Sequence, residues 1–148
     1  MKKIFFMSLL ALSFVATSCG KDDEKTYDVP AKSETKIEGT NVVRTQVVKE
    51  GKEAVVITYL FDENVKYLHQ EWQIIFNTTA GATTAGLAAK ARYIDKPDIQ
   101  VSYNANVVSI NYPLNEGIGD AKLQEVTSLS AVESAVQIAD ILGLLSLF

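Results

Sequence analysis

The chain has 148 residues, a formal net charge of −4, one cysteine and one histidine. A chain of this size suits one domain that buries roughly two thirds of its unfolded surface, and its acidic balance argues against nucleic acid or an anionic membrane surface as a generic partner. One cysteine allows no internal disulfide, and one histidine beside it falls short of the four ligands of a structural zinc site.

The N-terminus comes first in the chain. Lys2 and Lys3 precede a predominantly apolar run at residues 4–15 (IFFMSLLALSFV), and Ala16, Thr17 and Ser18 supply small residues before Cys19. That order is the order of a secretory signal peptide. The run is shorter than the ~20 apolar residues a spanning helix needs. Small residues directly before the chain's one cysteine resemble the lipobox of bacterial lipoproteins, with Ala16 where that family usually has Leu. The resemblance implies that residues 1–18 are removed by signal peptidase II. It also implies that Cys19 carries lipid on its thiol and an acyl group on its new amine. One acyl chain holds a protein to a bilayer only marginally, and several hold it firmly. The other reading is ordinary cleavage near Ser18, which leaves an exposed free thiol.

Directly after the cysteine come Gly20, Lys21, Asp22, Asp23, Glu24 and Lys25. Lys21, Asp22, Asp23 and Glu24 are similar to the short Lys-then-acidic tag of surface lipoproteins in one large group of Gram-negative bacteria. That resemblance implies the outer leaflet of the outer membrane; a solvated spacer on a periplasm-facing protein is the other reading. Residues 27–36 (YDVPAKSETK) have little apolar content with which to offset ordering entropy. Residues 19–36 are therefore expected to be an anchor, tag and flexible linker, and residues 37–148 a single globular domain.

Beyond residue 37 the pattern is that of strands. Residues 41–48 (NVVRTQVV) and 54–61 (AVVITYLF) are rich in β-branched and aromatic residues and flank a turn containing Gly51, which predicts a β-hairpin. Residues 65–76 alternate. Leu68, Trp72, Ile74 and Phe76 are expected on the core face, with Gln70 the exception, while Tyr67, His69, Glu71 and Gln73 are expected to face solvent. The period then becomes helical over residues 79–94. Thr78 or Thr79 is the expected N-cap, and Ala80, Thr84, Leu87, Ala88 and Ala91 form the expected stripe. Residues 99–103 and 107–112 predict a second hairpin, residues 113–120 a loop. A last, broken helix is expected to start with a capping box of Ser130 and Glu133, to carry a stripe of Val132, Ala135, Val136, Ala139 and Leu142, and to end at Gly143. The apolar Leu144, Leu145, Leu147 and Phe148 are expected to fold back onto the core.

The order β-β-β-α-β-β-α predicts an α+β fold, a two-layer sandwich with an antiparallel sheet of about five strands and helices on one face. The strand–turn–strand–helix stretch faintly resembles small surface lipoproteins over about half of the mature chain, which implies no activity.

Few residues point to chemistry. His69 lies near Glu71, but there is no G-x-S-x-G, and Cys19 is assigned to the anchor. Asp62 with Glu63, and Asp95 with Asp98, sit in turns, where Asp is common for backbone reasons. No P-loop or dinucleotide fingerprint occurs, so no cofactor, metal site or catalytic residue is expected. Two classes of function remain. One is a tethered, non-catalytic binding or accessory module whose open sheet face meets a glycan, a peptide or a neighbouring surface protein. The other is a small surface enzyme or enzyme inhibitor. The expected binding face comprises Tyr67, His69, Glu71, Gln73 and Asn111, with Gln100, Ser102 and Ser109 beside them.

Overall fold

A computed structural model describes residues 25–148. The signal segment, Cys19 with Ala16, Thr17 and Ser18, and the tag residues Lys21, Asp22, Asp23 and Glu24 lie outside the described residues. Eleven stretches follow in order. Four strands come first: β1 (Glu34–Glu38), β2 (Asn41–Lys49), β3 (Glu53–Phe61) and β4 (Tyr67–Phe76). Then come helix α1 (Thr79–Arg92), strands β5 (Gln100–Asn104) and β6 (Val107–Tyr112), and a short helix α2 (Asp120–Leu123). A 3₁₀ turn (Leu129–Ala131), α3 (Val132–Ala135) and α4 (Ile138–Leu145) complete the chain.

The strands form one antiparallel sheet in the order β1-β2-β3-β4-β6-β5, and the fold class is α+β. The sheet has six strands rather than about five. The additional strand is β1, which begins at Glu34, inside the stretch expected to be a linker. The same stretch is bonded elsewhere: Tyr27 N–H donates to Asn77 O at 2.9 Å, and Ser33 Oγ accepts from Val47 N–H at 2.9 Å. Ordered structure therefore starts ahead of residue 37. Backbone pairing to the edge of β2, not apolar content, holds it.

The β2–β3 turn forms where expected, with Gly51 at a φ of 74°, a left-handed position that favours glycine. On one face Val55, Ile57, Tyr59, Trp72, Ile74, Val108, Ile110 and Tyr112 build the core. The helices cover this face: α1 packs against β4, β5 and β6. Thr78 is the N-cap of α1, its hydroxyl accepting from Gly81 N–H at 3.0 Å, an arrangement worth about 1 kcal/mol.

The buried face of α1 differs from the expected stripe. Ala82, Ala85, Gly86 and Ala89 are buried, while Leu87 is 55% exposed. Gly86 decides the orientation. A Cβ there would overlap the Tyr103 ring of β5, so the helix sits on the sheet along its smallest residues. Packing this close requires small side chains, and Leu87 is turned outward because it is large.

The last helix is broken at Val136, which is extended and only 1% exposed. No side-chain cap bond forms from Ser130 to the helix, and α4 continues through Gly143 to Leu145. The stripe shifts accordingly. Val132, Val136, Ile141 and Leu145 are buried, Ala139 and Leu142 exposed. The backbone carbonyl released at the break is satisfied from the sheet, where buried Arg44 donates through Nη1 to Val136 O at 2.9 Å. Leu144, Leu145 and Phe148 do fold onto the core, and Leu147 remains exposed.

Candidate functional site

Strand register decides which side chains share the face that the helices leave open. One cross-strand row runs Glu34, Thr45, Val56, Gln73, Ser109, Ser102. The next runs Lys36, Val43, Thr58, Glu71, Asn111, Gln100. At the β4-β6-β5 corner these rows enclose a shallow depression of about 270 Å³, bordered by Glu71, Gln73, Gln100, Ser102, Ser109 and Asn111. Gln73, Gln100, Ser102, Ser109 and Asn111 make no side-chain hydrogen bond to another described residue. Their donors and acceptors point to solvent and are free for a ligand.

His69 stands at the margin of this corner, opposite Leu60 on β3. Its Nε2 lies 3.1 Å from Glu71 Oε2, and both side chains are partly exposed, 30% and 48%. The carboxylate can orient the imidazole. Among the described residues no serine or threonine hydroxyl is hydrogen-bonded to that ring. No group of three His, Cys, Asp or Glu side chains among the described residues could hold a metal ion. Asp62 serves its turn, with Oδ1 accepting from Asn64 N–H and Lys66 N–H at 2.8 and 2.9 Å.

Tyr67 is not on this face. It is 3% exposed and belongs to the core, while Leu68, expected in the core, is 41% exposed. The cause is a β-bulge. Phe61 pairs with Tyr67 and Leu60 pairs with His69, so Leu68 is an extra residue that resets the alternation. From His69 onward the expected faces hold, with His69, Glu71 and Gln73 outside and Trp72 and Ile74 inside. Gln70 falls on the core side and is fully buried.

What surrounds Gln70 is a buried polar network that the sequence did not reveal. Tyr67 Oη donates to Asp120 Oδ1 at 2.5 Å. The Gln70 amide nitrogen lies within 3.0 Å of Tyr67 Oη, Asp120 Oδ1 and Ile118 O, and Trp72 Nε1–H donates to Gln70 Oε1 at 2.7 Å. Backbone N–H groups of Asn115 and Gly117 donate to Asp120 Oδ2 at 2.6 and 2.9 Å. Tyr59 is buried beside Arg44, and its hydroxyl lacks a hydrogen bond of good geometry.

Burial dominates the electrostatics of these tyrosines. It pushes the Tyr59 hydroxyl up to about 12, outweighing the neighbouring Arg44 guanidinium. Burial and then the bond to Asp120 raise Tyr67, and burial followed by the 2.8 Å contact with Tyr93 raises Tyr112. All three therefore stay neutral at physiological pH, and the Tyr67–Gln70–Asp120 network bonds α2 to β4. One trace of it was visible in the sequence: a glutamine interrupting an apolar alternation at Gln70. Arg44 and Asp120 left none. Compared with family models, with curated proteins and with solved structures, the chain matches none.

Proposed function

We propose that this chain is a lipoprotein tethered to the outer membrane through Cys19, exposed at the cell surface, whose domain is a non-catalytic binding or accessory module. The observation that carries the reading of the domain is the uncovered β4-β6-β5 corner. It presents five neutral side chains with unoccupied hydrogen-bonding groups beside the His69–Glu71 pair. Neutral amides and hydroxyls of this sort bond to hydroxyl-rich or peptide-like ligands, so a glycan, a peptide or a neighbouring surface protein fits. With Tyr67 in the core, the face binds by hydrogen bonding rather than by aromatic stacking. Many tethered copies add avidity, so each site need bind only modestly. Among the described residues no helix is long and apolar enough to cross a membrane; the proposed attachment is the lipid on Cys19.

The address is tested by metabolic labelling with a clickable fatty acid. Wild-type protein should take up label and Cys19→Ala should not. Label retained by the variant would end the lipoprotein reading.

The binding role is tested by pull-down from intact cells followed by glycan and peptide arrays. Replacing Gln73, Asn111 and Gln100 together with alanine should weaken the captured interaction by about tenfold or more, since each lost hydrogen bond is worth about 0.5–1.5 kcal/mol. His69→Ala with Glu71→Ala should change it less. A small surface enzyme or inhibitor is the alternative, and the 3.1 Å His69–Glu71 contact is what favours it. Turnover of a hydrolase substrate that disappears with His69→Ala would replace the binding reading with that one.

A further inference from the structure

The two edges of the sheet are built differently. β1 carries Glu34, Lys36 and Glu38, with Lys36 Nζ 3.4 Å from the Glu34 carboxylate. Charge of this kind guards an edge against pairing with another chain. β5 (QVSYN) has no charged residue and no proline. Its hairpin with β6 closes on Asn104 and Val107 around Ala105, at a φ of 55°, and Asn106. Hydrogen-bonded pairs alternate along an antiparallel ladder from the closing pair, so Asn104, Ser102 and Gln100 bond to β6. The N–H and C=O groups of Val101 and Tyr103 point off the sheet.

This edge is complementary to itself. With Ser102 on a two-fold axis, Val101 faces the second copy's Tyr103 and Gln100 faces the second copy's Asn104. The outward backbone groups then meet as narrow pairs that exchange about four N–H···O=C bonds. Apolar side chains oppose each other on the helix side, amides oppose each other on the open face, and no like charges meet along the strand. The helix layer adds an apolar contact of its own. Lys90 Nζ lies 5.4 Å from the Tyr103 ring centroid, which marks the side of α1 turned toward β5. Leu87 and Ile94 neighbour Lys90 on that side of the helix, and they are 55% and 77% exposed.

We infer that a second copy of this chain pairs antiparallel with β5 about Ser102 and joins the two sheets into one. A two-fold axis between paired strands is perpendicular to the sheet, so the open faces of the copies lie side by side. Among the described residues nothing beyond β5 borders the depression at the β4-β6-β5 corner. The second copy supplies that border, its Ser102 beside Ser102 and its Asn104 beside Gln100. This part of the inference rests on the reading of the corner as a binding site; the pairing itself does not. Copies tethered to one membrane meet at a high effective concentration, so a small interface is enough.

The test is disulfide cross-linking of the full chain in intact cells. Across a non-hydrogen-bonded pair the Cα atoms lie about 4.5 Å apart, within the ~4.4–6.8 Å that a disulfide spans. Ser102→Cys should therefore form a covalent dimer in which two copies of the Ser102 peptide are linked. Asn104→Cys, set opposite Gln100, and Gln73→Cys, further in along the same row as Ser102, should give no more dimer than the wild type, which holds Cys19 alone. Ser102→Lys brings two ammonium groups together at the axis, and mass photometry of the detergent-extracted chain should show dimer becoming monomer. Ser102 is exposed, so the variant should melt with the wild type; if it does not fold, Gln100→Glu with Asn104→Glu takes its place. A wild type that is monomeric on cells and after extraction, or equal dimer yields from the cysteines at Gln73, Ser102 and Asn104, would overturn the inference. So would cross-links from Ser102→Cys to a different protein, which would give the edge to a foreign strand. None of these readouts uses a ligand. A failed dimer therefore leaves the binding role of the corner standing, and alanine variants there that fail to weaken capture leave the dimer standing.

Discussion

Trp72→Ala should destabilise the domain by about 3–5 kcal/mol, the usual cost of truncating a fully buried aromatic residue. Trp72 is 1% exposed at the centre of β4, its ring edge-on to Tyr112 with centroids 5.6 Å apart. Removing it takes away that contact, leaves a cavity under the strands, and deprives Gln70 Oε1 of its 2.7 Å donor. An acceptor left unbonded in the interior adds a desolvation penalty to the lost apolar burial. Small domains are stable by only about 5–15 kcal/mol, so the variant should unfold at a much lower denaturant concentration. Leu68→Ala is the matched control. Both residues belong to the core if the strand alternates without interruption, but the bulge turns Leu68 to solvent, and its truncation should cost less than about 1 kcal/mol, as exposed sites do. Comparable losses in the two variants would mean that the bulge is absent and that Tyr67 returns to the open face.

The contrast between those two residues shows how far the sequence could be read. Periodicity identifies a strand and its two faces as long as the alternation is unbroken, which is why His69, Glu71, Gln73, Trp72 and Ile74 were assigned correctly. A single inserted residue reverses the faces before it, and nothing in residues 65–76 marks the insertion at Leu68, because Gln70 is in phase with Trp72 on the core side. β1 was missed for a different reason. Glu34, Thr35, Lys36 and Glu38 bury little and pair only at the edge of the sheet, so no apolar pattern marks them. The face of α1 was misread because apolar spacing gives weight to large residues, whereas close approach to Tyr103 selects the small ones. The surface depression was partly legible, since Gln73, Gln100, Ser102, Ser109 and Asn111 were assigned to the solvent face from alternation alone.

Asp120→Ala should also cost about 3–5 kcal/mol, although the change removes very little apolar surface. Asp120 is 5% exposed and lies 53 positions along the chain from Tyr67. Its two oxygens divide the work. Oδ1 accepts from Tyr67 and Gln70, which ties α2 to β4, and Oδ2 accepts from the backbone of Asn115 and Gly117, which fixes the preceding loop. Alanine leaves the buried Tyr67 hydroxyl and the Asn115 and Gly117 N–H groups without this acceptor, while Gln70 keeps its bond to Ile118 O, and each buried donor left unsatisfied costs about 1–3 kcal/mol. It also removes the buried carboxylate that shares the surroundings of Tyr59 with the Arg44 guanidinium. Asp120→Asn separates charge from shape. The amide keeps one oxygen but must turn its NH₂ toward a pair of donors, so that side of the network faces donor against donor. Its loss should be smaller than that of alanine but still exceed about 1 kcal/mol. Denaturant unfolding should therefore rank the proteins wild type, Asp120→Asn, Asp120→Ala in falling stability. Equal midpoints for all three would show that the carboxylate is hydrated rather than bonded, and that α2 is held to β4 without it.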